Sequence, residues 1–220
     1  MSAKTIRILL ADDHEVVRRG LRALLEMHAG WEVCGEAADG RVAVDLAQKL
    51  SPDIVIMDIG MPRLNGFEAA RQILERTRGI EVLVLSIHDS EQTVREVIGA
   101  GARGYVLKSD AGRDLVAAVE ALLRREPFFS ASVASSVRAL DLKVSGAKRP
   151  SLRPAGGLTR REREVLQLLA EGCANKAVAK VLGISVKTAE THRARIMRKL
   201  GMKSVAELVR YAIRNGFIEA

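Results

Sequence analysis

Between Ile6 and Leu123 the chain switches five times from a short β-rich run to an apolar stripe at helical spacing. The runs cover residues 6–11, 31–37, 53–58, 81–86 and 105–107. The stripes place Val17, Leu21, Leu24 and Leu25 on one helix face, then Val42, Val44, Leu46 and Leu50, then Phe67, Ala70, Ile73 and Leu74. A weaker helix follows from Ser90 through Ile98, and a fifth from Leu115 to Leu123. Few architectures accept that order. Strands alternating with helices bury both partners when one parallel sheet carries helices on both faces. The pattern predicts an α/β fold, a doubly wound five-stranded parallel sheet, over residues 4–125. The third run is the most constrained: Ile54, Val55, Ile56 and Met57 lead straight into Asp58, and Gly60, Met61 and Pro62 break the chain. Such a run between turn signals reads as a strand buried on both faces. Asp58 then lies at its carboxyl end, where open α/β sheets hold their ligands.

The pattern weakens after Pro127. Val133, Val137 and Leu140 fit one face of a short helix, and residues 143–157 are rich in Ser, Gly, Pro and basic residues. Residues 126–157 therefore read as a linker with a flexible tether. Residues 158–220 read as a second, all-α domain of four helices. Thr159 and Glu162 have capping-box spacing, and Val165, Leu166, Leu168 and Leu169 turn inward until Gly172 ends the helix. A short helix covers residues 176–182; Gly183 and Ile184 make a turn; Ser185 caps a third helix that runs to Leu200. The fourth covers residues 204–215, with Val205, Leu208, Val209 and Ala212 as its apolar positions.

The net charge of +8 is unevenly spread. Residues 1–127 carry 17 Lys and Arg against 20 Asp and Glu, and residues 128–220 carry 18 against 7. A mildly acidic half joined to a strongly basic one implies that the second meets a polyanion. No apolar run approaches the ~18 residues that span a bilayer, and the first residues lack an export signal. Cys34 and Cys173 fall in different domains with no metal or disulfide spacing, so both read as small buried hydrophobes in a reducing, cytoplasmic protein.

Chemistry concentrates at the strand ends. Asp12 and Asp13 follow the first strand and Asp58 ends the third, and these strands are neighbours at the switch point of a doubly wound sheet. Three converging carboxylates repel unless a cation sits among them, which predicts a hard divalent ion, Mg²⁺. Ser86 supplies a hydroxyl and Lys108 a point charge at two further strand ends. Singly, each has a bland reading as a cap, a solvated strand end or a loop hydroxyl. Together they suit transfer of a phosphoryl group to Asp58, with Lys108 and Ser86 holding its oxygens. His14 and His88 read as loop residues.

Residues 4–125 resemble the receiver domain of bacterial two-component response regulators, which is flavodoxin-like. The resemblance rests on Leu10-Ala11-Asp12-Asp13-His14, on Met57 through Pro62, on Leu85-Ser86 and on Tyr105-Val106-Leu107-Lys108. It implies that Asp58 is the phospho-acceptor and that a phosphohistidine on a sensor histidine kinase is the donor. It implies that Asp13, Asp58 and the Gly60 backbone carbonyl ligate Mg²⁺, with Asp12 acting through a water. Ser86 and Tyr105 match the family's switch pair. Ser109 stands where many receivers place proline.

Residues 158–216 resemble the LuxR-type helix-turn-helix domain of the NarL/FixJ subfamily. The match runs from Leu158 to Leu166, through Asn175-Lys176, and from Ile184 to His192. Independently, a helix that enters the major groove needs a small-residue turn before it and donors along one face. Lys187, Glu190, Thr191, Ala194 and Arg198 share such a face, flanked by Arg193, Arg195 and Lys199, while Ile196 and Leu200 point to the core. Glu190, Thr191 and Ala194 are expected at base edges. Lys187, Thr188, His192, Arg193 and Arg195 are expected at phosphates, which position without specifying sequence. The fourth helix, with Val205, Leu208 and Val209, is expected to pair with a second copy, so that a phosphorylated homodimer reads two half-sites of double-stranded DNA. RNA polymerase is a further candidate partner.

The sequence thus predicts a transcriptional regulator switched at Asp58, with no enzymatic activity beyond self-phosphorylation and slow self-dephosphorylation. In its resting state the receiver is expected to mask the recognition helix or the dimer face. Two rivals remain: a phosphatase or phosphotransferase acting on small molecules, and a constitutive DNA-binding protein whose receiver is an unphosphorylated interaction module.

Overall fold

The computed structural model describes residues 5–134 and 157–218. The first region folds as β1 (Ile6–Ala11), α1 (Glu15–Glu26), β2 (Trp31–Ala37), α2 (Gly40–Leu50), β3 (Ile54–Asp58), α3 (Gly66–Arg76), β4 (Glu81–Ser86), α4 (Glu91–Ala100), β5 (Gly104–Leu107) and α5 (Ala111–Leu123). All strands are parallel, in the order β2-β1-β3-β4-β5 with one further strand beyond β5.

That sixth strand corrects the five-stranded expectation. β6 (Phe128–Phe129) pairs with β5, and a 3-10 turn (Ala131–Val133) brings Val133 into the receiver core, fully buried. Two residues make no periodic signal, so the strand disappeared into the apparent linker. Val137, Leu140 and residues 143–156 of the expected linker lie outside the described residues.

Alternation along each strand divides the core. Leu9, Ala11, Val55, Met57, Val82 and Val84 meet α2, α3 and α4 on one face. Ile8, Leu10, Ile54, Ile56, Leu83 and Leu85 meet α1 and α5 on the other. A sheet covered on both faces needs strands that are apolar at every position, which is why β3 reads as an unbroken run and all its residues are buried.

The second region folds as α6 (Arg160–Ala170), α7 (Asn175–Leu182), α8 (Val186–Leu200) and α9 (Val205–Arg214) around one core that includes Val165, Leu166, Leu169, Val178, Ile196, Leu208 and Ala212. The caps form as their spacing predicts: Thr159 and Glu162 close a reciprocal capping box, and Ser185 accepts from the Thr188 N–H. Gly183, at φ +63°, takes the left-handed turn between α7 and α8 that a side chain would strain.

The two regions meet through polar side chains. Arg163 of α6 bonds Glu68 of α3 with both Nε (3.0 Å) and Nη2 (2.7 Å), and both residues are buried. Gln72 donates to Glu164 at 3.3 Å, and Arg41 lies 3.5 Å from the same carboxylate. Every residue of α6 from Glu162 to Ala170 is buried, because its apolar face fills its own domain and its polar face meets the receiver.

Candidate functional site

Sheet register assembles the acidic pocket. Ala11 pairs with Met57, so Asp12 and Asp58 leave adjacent strands side by side. Asp58 pairs with Leu85, and Ser86 pairs with Leu107, which brings Ser86 and Lys108 to the same edge. The helix after β3 comes in close: a Cβ on Gly66 would lie 2.0 Å from the Asp58 carbonyl oxygen, so this position accepts only glycine.

Lys108 Nζ stands 2.8 Å from Asp12 Oδ2 and 3.0 Å from Asp58 Oδ1. Both carboxylates are almost fully buried, at 1% and 2% exposure. Burial pulls the Lys108 pKa down, but the Asp58 and Asp12 charges outweigh it and hold the ammonium above its usual range. Asp13 is less buried, and Asp12, Asp13, His14 and Asp58 bring ligand atoms within 4.8 Å of one another. Hard oxygen donors in negative surplus are the donor set that suits a small divalent cation. Gly60 lies in the loop after β3, half-buried.

His14 belongs to this pocket more than its sequence position suggested. Its Nδ1 lies 2.8 Å from Asp13 Oδ1 and 3.4 Å from Asp12 Oδ1, while its N–H donates to Asp12. The only sequence signal was adjacency to the acidic pair. His88 also matters through its backbone: its N–H donates to Ser86 Oγ at 3.0 Å, and its carbonyl accepts from the Tyr105 hydroxyl. Tyr105 is fully buried, and burial pushes its pKa up to about 12 against the opposing pull of Ser86.

On α8, Lys187, Thr188, Glu190, Thr191, Ala194, Arg195 and Arg198 are exposed, and His192 and Arg193 are half-buried. Thr191 Oγ1 donates back to the Lys187 carbonyl at 2.8 Å. Lys199 turns away, 2.6 Å from Glu162 of the α6 capping box. The receiver therefore leaves this face of α8 open, contrary to one form of the masking expectation, because its charged surface is matched to α6 instead. The dimer-face expectation also changes in detail. Leu208 is 1% exposed inside its own domain core, whereas Val205 and Ile213 are open and Val209 is half-buried.

Residues 8–120 match the family described as response regulator receiver domain, and residues 157–212 match bacterial regulatory proteins, luxR family. The chain is 39% identical over 213 residues to the transcriptional regulatory protein LiaR of Bacillus subtilis (strain 168), covering 97% of this chain and 99% of LiaR. It is 36% identical over 225 residues to the transcriptional regulatory protein DegU of Brevibacillus brevis, covering 97% and 95%. The chain belongs to the NarL/FixJ response regulators. Such a regulator joins two-component signalling to a LuxR-type DNA-binding domain and acts in transcription. Among solved structures, RcsB from Salmonella enterica serovar Typhimurium, bound to promoter rprA in the presence of phosphomimetic BeF3-, aligns with TM-score 0.61 and 28% identity over 94% of this chain and 98% of RcsB. The order of the two regions along this response regulator thus agrees with that of a DNA-bound relative. No helix of the described residues is long and apolar enough to cross a membrane.

Proposed function

We propose that Asp58 accepts a phosphoryl group from a phosphohistidine on a cognate sensor histidine kinase, and that this controls DNA binding by α8. The observation that carries the reading is Lys108, whose ammonium stands 2.8 Å from Asp12 and 3.0 Å from Asp58 where three strand ends converge. A carboxylate oxygen of Asp58 attacks phosphorus in line; the P–N bond breaks, and its electrons stay with the donor imidazole. Held by Asp13, Asp58 and the Gly60 carbonyl, with Asp12 one water further out, Mg²⁺ would offset the charge that builds on the transferring oxygens. Lys108 then turns from the bare carboxylate to the phosphoryl oxygens. Ser86 donates its hydroxyl proton in a hydrogen bond to the same group. His88 ties Ser86 to Tyr105, so that movement passes through one residue's backbone into α4 and β5. The chain's own chemistry is confined to self-phosphorylation and slow self-dephosphorylation at Asp58, in the cytoplasm.

The phosphorylated protein pairs through α9, using Val205, Val209 and Ile213, and presents two copies of α8 to successive half-sites. Lys187, Thr188, His192, Arg193, Arg195 and Arg198 hold phosphates, and Glu190, Thr191 and Ala194 approach base edges. Asp58→Asn is expected to abolish labelling by acetyl phosphate; labelling that persists sinks the assignment. Lys187→Ala is expected to weaken promoter binding and to reduce the salt slope by about one. An unchanged slope would remove α8 from the phosphate backbone.

A further inference from the structure

His14 follows the acidic pair directly and stands at the N-cap of α1. That position favours Ser, Thr, Asp or Asn, whose side-chain oxygen accepts a free N–H of the first turn. The His14 side chain makes no such bond. Helix capping therefore does not account for this residue, and its ring turns to the carboxylates instead. Nδ1 lies 2.8 Å from Asp13 Oδ1 and 3.4 Å from Asp12 Oδ1. The backbone fixes the approach. The His14 N–H donates to Asp12 Oδ1 at 2.8 Å, and Arg18 holds both ends of the segment, its N–H on the His14 carbonyl at 3.1 Å and its Nη1 on the Asp12 carbonyl at 2.7 Å. One ligand atom from each of Asp12, Asp13, His14 and Asp58 falls within 4.8 Å of the others. Donors ~2.1 Å from a six-coordinate cation stand ~3.0 Å apart along an edge and ~4.2 Å apart across it. The two Nδ1 distances bracket that edge.

We propose that His14 supplies an imidazole nitrogen to the cation held by Asp13 and Asp58, and that the pocket therefore favours a first-row transition-metal dication over magnesium. The inference rests on the metal site of the phospho-acceptor reading and adds a donor to it. The chemistry of that donor sets the preference. Carboxylates, a carbonyl and water suit magnesium and manganese alike, whereas imidazole suits transition metals. Magnesium also dehydrates reluctantly and keeps several waters, so it gains little by trading one for a nitrogen. The ring serves without a burial penalty. Its side chain is 58% exposed, so exchange of the ring proton with water frees the Nδ1 lone pair and strands no buried group. Nor does Lys108 compete with it. The ammonium meets Asp12 Oδ2 and Asp58 Oδ1, while the imidazole meets the Oδ1 atoms of Asp12 and Asp13.

The test uses the full chain without a phosphodonor, with Mn²⁺ and Mg²⁺ as the probes. Pulsed electron paramagnetic resonance of the Mn²⁺ complex reads nitrogen at the metal directly, and protein grown on isotope-labelled histidine assigns that nitrogen to an imidazole. Wild type is expected to show nitrogen coupling that changes with the isotope, and His14→Ala is expected to lose it. By calorimetry, His14→Ala should lower the ratio of Mn²⁺ to Mg²⁺ affinity by about tenfold, the lower end of what losing a partner around a metal costs. Most of that change should come from weaker Mn²⁺ binding. His14→Asn is the second variant: it gives α1 an N-cap oxygen and offers no ring nitrogen, so it should lose the coupling as well. Coupling that persists in both variants overturns the proposal, as does its absence from wild type that binds Mn²⁺. Equal loss of affinity for both cations also overturns it, because His14 then only positions Asp13. Failure of the underlying reading looks different. Wild type that binds neither cation, or Asp13→Asn that binds both as tightly as wild type, overturns the metal site and the proposal with it.

Discussion

The acidic pocket and the interdomain seam both bury charges, and they are balanced differently. At the strand ends Asp12 and Asp58 share Lys108, and Asp13 lies beside them against His14. Across the interdomain seam, Glu68 and Glu164 meet Arg163, Arg160, Arg161, Arg71 and Arg41. Burying charge costs several kcal/mol per ion unless partners offset it. The seam offsets it within the protein, so its charges serve contact. The pocket leaves negative charge over, which suits a bound cation. Carboxylates left in surplus mark the candidate ligand site, and carboxylates each met by several arginines mark the interface.

The sharpest way to break this comparison is to unbalance the seam. Arg163→Ala removes two hydrogen bonds to Glu68 Oε2 and leaves that carboxylate, 3% exposed, to Arg71 and Arg160. The docked arrangement should lose about 3 kcal/mol or more, from two hydrogen bonds to a charged group at about 1.5–3 kcal/mol each. Hydrogen exchange of α6 and scattering from the full chain read the change directly; unaltered protection in α6 would show that the seam contributes nothing to docking. Next in size is the response of the pocket to its missing charge. Magnesium at about a hundredfold its dissociation constant should raise unfolding free energy by ~2.7 kcal/mol. Asp13→Asn should lose most of that gain in thermal melts. The same variant at pH 8 without metal should be more stable than wild type by up to ~1 kcal/mol, the scale of a partly screened pair. If removing Asp13 destabilises the metal-free protein, the pocket is not in surplus.

The two charge sets also differed in how plainly the sequence displayed them. Each pocket residue ends an apolar run, so parallel topology alone brings Asp12, Asp58, Ser86 and Lys108 together, and the register confirms their adjacency. The seam had no such marker. Arg163, Glu164 and Gln167 lie on the polar side of an amphipathic helix, which without a second domain reads as its solvent face. Glu68 likewise sits in the first turn of α3, where a carboxylate is expected for helix-dipole reasons alone. Periodicity reports which face is apolar and says nothing of what covers the polar one. The same limit hid the self-burial of Leu208, which shares spacing with Val205 but turns into its own core. β6 escaped because two residues carry no period.

The smallest effect at neutral pH belongs to a third kind of buried polar group, one with no charge at all. Tyr105 is fully buried between the pocket and α4, and its hydroxyl donates to the His88 carbonyl. Its pKa stands at about 12, above the ordinary value of about 10, because burial disfavours the phenolate. A folded-state pKa raised in this way contributes stability that is fully present below pH ~10 and falls as pH rises toward the folded value. Unfolding free energy should therefore carry no Tyr105 contribution to its slope near pH 7, and should decline between about 10 and 12 as the unfolded chain ionises first. Tyr105→Phe removes that decline while leaving the neutral-pH charge balance untouched. Comparing its alkaline slope with that of wild type by chemical denaturation isolates the group. If the two slopes coincide, the phenol is already solvated, and the link from Ser86 through His88 to Tyr105 is not closed in the resting protein.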